Sequence, residues 1–291
     1  MKYPVAVIAT ILVLFINATN TYADDNPLPV PRLFDDSIEA LWNQQDYGED
    51  AIVIDVGERK FSPFVHKELT PEIRFCSDPI NQAIWMQDIF HQFESRAHFD
   101  NCDFHSSASY VTQLREDAKA LLIHAKQLQK RGVSEYVIRF RVQQAMRILG
   151  QALHAVQDFY AHTNYVEMHV KKGTPHIKDI ERIPFWTEPG KRMMDEQLKN
   201  GLYSGVVFWG FPQKCPDGTL SHHEINKDSE ESTAGSVETP WNGRLQFDAA
   251  VELAQLASHE FTVEMFEQYP LLKEVCGDVV FVTRQADHRM H

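Results

Sequence analysis

One stretch of the chain combines the pattern of a long buried helix with three regularly spaced polar side chains. It contains HAVQDFYAH, in which His154, Asp158 and His162 follow one another at intervals of four residues. At about 100° per residue, each interval rotates the side chain by only about 40°, so all three lie on one helix face. Ser134 is a good N-cap for this helix, which is expected to run to about Glu167.

The polar trio is expected to lie inside a helical bundle, where an unpaired charge is costly and a metal ion would compensate it. His154 and His162 are about 12 Å apart along the axis, too far to share one ion, so Asp158 is expected to bridge two cations. Imidazole and carboxylate ligands indicate zinc most simply. The helix alone leaves open a solvated His/Asp face or a buried hydrogen-bonded pair. The rest of the helix is apolar: Val137, Phe140, Met146, Ile148, Leu149, Leu153, Val156, Phe159 and Tyr160.

Hydrophobic periodicity predicts three further helices, at about 79–93, 107–131 and 245–268. Gly150, in the interior of the long helix, indicates that another backbone packs close to it, because glycine there costs about 1 kcal/mol relative to alanine. The side chains expected to face the core are Ile80, Ile84, Trp85, Ile89 and Phe93 in the helix at 79–93, Tyr110, Leu114, Ala118, Leu121 and Leu122 in the helix at 107–131, and Ala249, Leu253, Leu256, Phe261 and Met265 in the helix at 245–268.

Strand signals are few, at 51–56 and 279–283, and residues 170–190 and 214–243 have the composition of loops. No internal repeat or low-complexity tract is present in the sequence. We therefore expect an all-α fold, a single mostly helical domain over 61–291 with a metal cluster between helices, long loops and few strands.

The charge balance restricts the function. The 291 residues include 28 Lys plus Arg against 41 Asp plus Glu, a formal net charge of −13. A simple DNA-binding module needs clustered cations to replace phosphate counterions, so this class is not expected. With 43% hydrophobic residues the composition is that of a compact globular protein.

The N-terminus has the pattern of a secretory signal peptide. Residues 5–16 are apolar, too few for a membrane span of roughly 20 residues, and a small-x-small motif ends at Ala23. We expect residues 1–23 to be removed, leaving 24–60 as an N-terminal extension and a secreted or periplasmic protein. An uncleaved N-terminal anchor is the alternative.

Export makes disulfide bonds plausible for the cysteines, which are even in number and lack Cys-x-x-Cys spacing. We expect two structural disulfides, with free buried thiols as the alternative. Three connectivities are possible, and the sequence does not choose among them. The four residues are Cys76, Cys102, Cys215 and Cys276.

Other histidines and carboxylates fall in compact groups outside the long helix. His98 and Asp100 lie in AHFDN, just after the first predicted helix, where Cys102 is available to pin the turn. His66 lies in VHKELT, before a Thr-Pro-Glu sequence that looks like a helix start. Single histidines in turns are usually surface residues, but grouped histidines with carboxylates are candidate ligands.

These motifs, in this order, resemble those of the Het-C type proteins, which themselves resemble a branch of the zinc-dependent phospholipase C and single-strand-specific nuclease superfamily. The resemblance runs from about 61 to 268, and the segment from the long helix is its most specific part. The motifs are VHKELT, AHFDN, LGQALHAVQDFYAHTNYVE and CPDGTLSHHEINKD.

The resemblance implies an all-α fold with zinc in a cleft between helices. It assigns Asp100, and with it His98, to a first zinc shared with His154 and Asp158. Asp158 would bridge to a second zinc held by His66.

His162 would serve a third zinc, for which His222 and Asp228 are the candidate partners. The match to the superfamily is incomplete: the interval from Asp158 to His162 is two residues shorter than in its enzymes. The predicted N-terminus is also too far from His66 for N-terminal ligation. Two zinc ions are therefore better supported than three. Glu167 is a candidate only for the third site or for a contact with a metal ligand.

The implied activity is phospholipase C-type hydrolysis of phospholipid head groups by a zinc-activated water, with a phospholipid or membrane surface as substrate. Asp158 would bridge the zinc ions, and Asp100 or another metal-binding carboxylate would accept the proton of the water. Phe159, Tyr160 and Tyr165 would line an entrance, with the helix core as the alternative for Phe159 and Tyr160. A nuclease that uses the same metal site on single-stranded DNA or RNA is a second possibility. Nucleic acid is the less expected substrate because no basic track is present, but the net charge does not exclude it, since zinc ions supply local positive potential. A third is a non-enzymatic, metal-stabilised interaction or adhesion module. Protein partners are not indicated.

Overall fold

The computed structural model describes residues 63–280, except 172, 174–175, 209–211 and 241–242. The expected signal peptide, the N-terminal extension and the strand at 51–56 lie outside the described residues. Within the described part, the chain forms ten α-helices and one two-stranded sheet. The expectation of an all-α fold with few strands is confirmed.

The helices in chain order are α1 (Pro63–Leu69), α2 (Ser77–Phe90), α3 (Ser95–His98), α4 (Phe104–Lys130), α5 (Glu135–His162), α6 (Tyr165–His169), α7 (Glu188–Lys199), α8 (His222–Ile225), α9 (Gln246–Gln268) and α10 (Pro270–Cys276). A short 3-10 helix spans Ile177–Asp179. Strand β1 (Glu72–Ile73) pairs antiparallel with β2 (Val279–Val280). Part of the strand expected at 279–283 is therefore present, and its remainder lies outside the described residues.

Helix α5 is the centre of the domain and packs against α2, α4 and α9. A Cβ added at Gly150 would lie 2.6 Å from the carbonyl oxygen of Ile80. This confirms the predicted close approach of a second backbone, because a real Cβ cannot occupy that distance. Glycine at this position lets α2 approach α5 closely enough for their facing side chains to meet.

Helix α5 ends at His162, five residues earlier than expected. The next residue, Thr163, has extended backbone angles and pairs with Ser204 in an isolated bridge. Its hydroxyl donates to the carbonyl of Phe159 and accepts from the amide of Tyr165, so one side chain satisfies groups of both α5 and α6. Because the chain turns here, His162 is the last residue of the long helix.

The orientation expected for the end of α2 was wrong. Ile80 and Ile84 are buried, but Ile89 is 42% exposed and Phe93, beyond the end of the helix, is 59% exposed. The five residues from Ile84 to Ile89 correspond to about 140° of rotation, which places Ile89 away from the core. Phe90 is also exposed, at 62%.

The predicted helix start at Thr70 was also wrong. Its hydroxyl donates to the carbonyl of His66, at the end of α1, and Glu72–Ile73 forms β1 instead. Helix α7 was missed, although Thr187 caps it by accepting from the amide of Gly190.

The two expected disulfides are confirmed. Cys76 pairs with Cys276, and Cys102 pairs with Cys215. Two disulfide bonds are compatible with an oxidising, extracellular compartment. Among the helices of the described residues, none has the length and apolar character that crossing a bilayer requires.

Candidate metal centre

All eight predicted ligand side chains are buried in one cluster around the C-terminal half of α5. Each of these residues is at most 2% exposed. They come from helices α1, α3, α5 and α8 and from the loops after α3 and α8. The eight are His66, His98, Asp100, His154, Asp158, His162, His222 and Asp228.

Asp158 lies at the middle of this cluster, and its two oxygens face different histidines. Oδ2 lies 2.9 Å from His98 Nδ1 and 3.0 Å from His154 Nε2. Oδ1 lies 3.3 Å from His66 Nε2 and 3.8 Å from His162 Nε2. The arrangement has the form expected of a carboxylate that bridges two cations.

His98, His154 and Asp158 form the inner group of the cluster. Besides their contacts with Asp158, His98 Nδ1 and His154 Nε2 are 3.1 Å apart. Ligand atoms around one tetrahedral zinc at 2.0–2.1 Å are about 3.3–3.4 Å apart, so the three atoms are within a few tenths of an ångström of that spacing.

Asp100, His162 and His222 form an outer group, which Asp228 also faces. Asp100 Oδ1 lies 3.0 Å from His222 Nδ1 and 3.4 Å from His162 Nδ1. Asp228 contacts His162 Nε2 at 3.2 Å and His222 Nε2 at 3.4 Å. The resemblance assigned Asp100 to the same ion as His154, whereas the structure groups Asp100 with the histidines of the predicted third site.

Asp88, on α2, was not predicted and takes the place beside His154. Its Oδ1 lies 3.5 Å from His154 Nε2, and its side chain is 15% exposed. Asp88, His66 and His154 form a third group of suitable ligand atoms. A single carboxylate within an ordinary helical segment gave no sequence signal, and only the packing of α2 on α5 brings it to the cluster.

Three histidines use one ring nitrogen to donate a hydrogen bond to a carbonyl-type oxygen, which fixes the orientation of the ring. His98 Nε2 donates to the carbonyl of His91 (3.2 Å), and His162 Nδ1 donates to the carbonyl of His98 (2.9 Å). His66 Nδ1 donates to Oε1 of Gln157 (2.7 Å). Second-shell bonds of this kind hold metal-bound imidazoles in one tautomer and orientation.

Gln157 is oriented by its own bonds. Its Nε2 donates to the hydroxyls of Thr70 (3.2 Å) and Ser258 (3.1 Å), which leaves Oε1 as the acceptor for His66. The residue is fully buried on α5 and joins α1 to α9. The sequence gave no reason to select it.

The other ring nitrogen of each of these three histidines, the one that does not donate to a carbonyl-type oxygen, therefore faces a carboxylate oxygen. In a neutral imidazole that nitrogen carries a lone pair, and a lone pair next to a carboxylate needs a proton or a metal cation between them. Four ligand atoms of the cluster are among the buried polar atoms that make no hydrogen bond of normal geometry within the described residues: His154 Nδ1, Asp158 Oδ1, His222 Nε2 and Asp228 Oδ2. Nitrogen and oxygen ligands in this arrangement fit zinc.

The pKa values of the histidines show how strongly the carboxylates act in the absence of metal. Burial opposes the charged form of His66, but the Asp158 carboxylate outweighs it and raises the pKa of His66 to about 9. For His222, burial is likewise outweighed by Asp100, and the pKa rises to about 10. Burial lowers the pKa of His154 well below its ordinary value.

The carboxylates respond in the opposite direction. Burial alone would raise their pKa values, but His154, His162 and His66 together outweigh it for Asp158, whose pKa lies well below its ordinary value. His162 outweighs burial for Asp228, and its pKa falls to about 2. Both carboxylates are therefore ionised at neutral pH, as metal ligands must be.

Lys227, next to Asp228, is a fully buried cation. Its Nζ donates to the carbonyls of Thr163 and Ile225 (both 2.9 Å) and lies 2.9 Å from Oε1 of Glu167. Burial lowers its pKa, and the Glu167 charge opposes this. Glu167, a candidate for the third metal site, is therefore engaged by this lysine.

The aromatic residues proposed for an entrance belong to the core. Phe159, Tyr160 and Tyr165 are each at most 1% exposed and pack against one another with ring centroids 5.0–5.7 Å apart. The core alternative for Phe159 and Tyr160 is confirmed, and the entrance expected for Tyr165 was wrong.

Comparison with known proteins supports one part of the resemblance. Residues 96–177 match the family model of the Heterokaryon incompatibility protein Het-C. This confirms the expected likeness to Het-C proteins over the segment that contains the inner group, Asp100 and His162. The likeness to phospholipases and nucleases is not tested by the match and stays a prediction.

A mouse (Mus musculus) protein, von Willebrand factor A domain-containing protein 7, is 28% identical to this chain over 268 residues. The alignment covers 81% of this chain and 26% of the mouse protein. The chain thus spans about a quarter of the length of that relative. No solved structure matches the chain significantly.

Proposed function

We propose that this chain is an exported, zinc-dependent phosphodiesterase of the phospholipase C type, which hydrolyses phospholipid head groups. The observation that carries the proposal is the arrangement of His66, His98 and His162. In each of them, one ring N–H donates to a carbonyl-type oxygen, and the other ring nitrogen faces a carboxylate. This is the orientation that metal-bound imidazoles require.

The described residues offer ligands for two zinc ions beside Asp158. The inner group, with Asp88 beside it, would hold the first, and His66 with Oδ1 of Asp158 would hold the second. The outer group with Asp228 would hold a third. When bound, zinc supplies Lewis-acid polarisation of a phosphoryl oxygen and lowers the pKa of a water.

The side chains of the cluster divide the remaining tasks. Asp158 fixes the separation of the histidines on its two sides, because each of its oxygens contacts a different pair. Asp100, expected to accept a proton, is 2% exposed and bonded to His222. Asp88 has the more exposed side chain, at 15%, and its Oδ1 lies beside His154 Nε2 (3.5 Å), so we assign it the role of proton acceptor.

A patch of apolar side chains favours a lipid substrate over a nucleic acid. Ile89 and Phe90, which directly follow Asp88 in the chain, are 42% and 62% exposed, and Phe93, three residues after Phe90, is 59% exposed. Exposed apolar groups beside a site are typical of surfaces that meet a membrane or an apolar ligand. The net charge of −13 opposes binding of a polyanion.

A metal-stabilised interaction module is the second candidate, and the burial of the ligands favours it. Eight ligand residues that are at most 2% exposed resemble a closed structural site more than an open catalytic one. In that case metal would contribute to folding without hydrolysis.

The test is a metal analysis of the purified mature protein, followed by assays on phosphatidylcholine vesicles and on single-stranded DNA. We expect at least two zinc ions per chain, release of phosphocholine, loss of activity with a chelator and its return with zinc. Bound metal without hydrolysis of either substrate would favour the interaction module. Less than one tightly bound metal per chain would rule out both candidates.

Stability should fall with rising pH above 6.5 in the metal-free protein, whereas in the metal-bound protein it should rise with pH up to neutrality. Without metal, folding raises the pKa of His66 from 6.5 to about 9 and that of His222 to about 10. The stability from these charged pairs is fully present below pH 6.5 and is lost as the pH rises toward 10. With metal, folding requires unprotonated imidazoles, so stability should rise with pH up to neutrality.

Melting temperatures at pH 5.5, 7.0 and 8.5, with zinc and with chelator, would measure this reversal. A protein whose stability changes with pH in the same direction under both conditions would contradict the assignment of these histidines as ligands.

A further inference from the structure

The turn that carries Asp100 has an uncommon backbone. Three residues around it, Phe99, Asn101 and Cys102, have left-handed φ angles of 55°, 57° and 55°. L-residues other than glycine and asparagine avoid this region, so surrounding contacts must hold the turn in place. Strained backbone that is held in this way is concentrated at functional sites.

Residues 203–207, here called the strap, provide those contacts. The amide of Asn101 donates to the carbonyl of Gly205 (2.8 Å), and its side-chain oxygen accepts from the amide of Val207 (2.8 Å). The amide of Cys102 donates to the hydroxyl of Ser204 (2.8 Å). The strap therefore supports both residues that follow Asp100.

The same strap reaches the other ligands of the outer group. The amide of Gly205 donates to the carbonyl of His162 (3.1 Å), and the amide of His222 donates to the carbonyl of Val206 (2.9 Å). A Cβ at Gly205 would lie 2.4 Å from the Cα of His222. The strap thus contacts the backbone of the outer-group histidines and of the turn that carries Asp100.

The Cys102–Cys215 disulfide closes this arrangement covalently. Cys102 ends the left-handed turn, and Cys215 begins the segment that leads to His222. Beside it, the amide of Lys214 donates to the carbonyl of Asn101 (3.0 Å). Asp100 and His222, 122 residues apart in sequence, therefore meet across one cross-link.

We propose that the Cys102–Cys215 disulfide is a positioning element that holds Asp100 and His222 in register. Binding of metal by the outer group then depends on this bond, whereas binding by the inner group does not. The expected change in zinc content rests on the proposed function, whereas the expected change in hydrogen exchange does not.

The second disulfide is a matched control. Cys76 and Cys276 join the start of α2 to the end of α10, beside the β1–β2 pair. The residues joined are 113 apart in the first disulfide and 200 apart in the second. Loop-closure entropy grows only logarithmically with length, so removing either bond should cost similar amounts of stability through the unfolded state.

The experiment compares Cys102→Ala/Cys215→Ala with Cys76→Ala/Cys276→Ala in the full mature chain. Zinc per folded chain, after dialysis, should fall by about one in the first variant and stay at the wild-type value in the second. If the wild-type protein binds zinc, equal zinc contents in the two variants, whether retained or lost, would overturn the proposal, because equal loss indicates a general effect of stability.

A second measurement does not need metal. Hydrogen exchange of the metal-free protein should be faster for the amides of Asn101, Cys102 and Val207 in the first variant than in the second. If wild-type protein binds no zinc but this difference appears, the proposed function fails while the positioning role holds. Equal exchange would show that the bond does not hold the turn.

Ser204→Ala tests the same contact when the double variant does not fold. It leaves both disulfides intact and removes the acceptor of the Cys102 amide. We expect zinc affinity of the outer group to weaken by at least about 10-fold, the usual effect of losing a bond that supports a ligand. Because the Cys102–Cys215 bond remains, unchanged affinity and unchanged exchange at Cys102 would show that the disulfide holds the turn without this hydrogen bond.

Discussion

Asp158→Asn should lose bound metal and lower the melting temperature together. Asp158 contacts four histidines through its two oxygens. An amide offers only one oxygen and no negative charge, and its nitrogen cannot bind a cation, so one ion beside Asp158 loses its ligand and the other keeps only an uncharged oxygen. Metal present at about 1,000 times its dissociation constant stabilises the fold by about 4 kcal/mol, which corresponds to roughly 10 °C in a domain of this size.

The measurement is zinc content and thermal unfolding with and without chelator. Asp103→Asn is the control, since Asp103 is also a buried carboxylate but pairs with Lys214 rather than with the cluster. The control should lose some stability and keep its metal. If Asp158→Asn keeps its metal and its melting temperature, Asp158 is not a bridge between ions.

The sequence was most informative about which side chains share one face of a helix, because the helical repeat alone determines this. The spacing of His154, Asp158 and His162 predicted their common face, and the structure buries all three. It also predicted the close approach at Gly150. Both features depend only on the rotation per residue along one helix.

Contacts between distant segments were not predictable in this way. Asp88 joins the cluster because α2 packs on α5, and Asp100 lies with the outer group because the strap holds its turn there. Neither contact has a local signal. The pairing of the cysteines was undetermined for the same reason.

Errors at helix ends have a separate cause. Ile89 and Phe93 continue an apolar pattern, but the pattern drifts off the helix face before the helix ends at Phe90. Helix α5 stops at His162 because Thr163 hydrogen-bonds groups on both sides of the turn. The composition of a segment does not reveal which of its side chains will interrupt the backbone ladder.

Lys227→Met should strongly destabilise the fold even in the absence of metal. Three partners surround the buried ammonium group: the carbonyls of Thr163 and Ile225 and the Glu167 carboxylate. Methionine fills a similar volume but donates no hydrogen bond, so the carbonyls lose their donor. Breaking a buried ion pair costs about 3–5 kcal/mol, and since Glu167 is 31% exposed we expect about 3 kcal/mol.

Urea denaturation of the metal-free protein would measure this loss, with Lys199→Met, at an exposed position on α7, as the control. The backbone amide of Lys227 donates to the carbonyl of Ala161, so the lysine joins the segment of His222 and Asp228 to the end of α5. Combining Lys227→Met with Glu167→Gln separates the ion pair from the carbonyl bonds: the double variant should be less destabilised than the sum of the single variants. A loss for Lys227→Met within about 0.5 kcal/mol, as for a surface substitution, would show that the buried cation does not stabilise this junction.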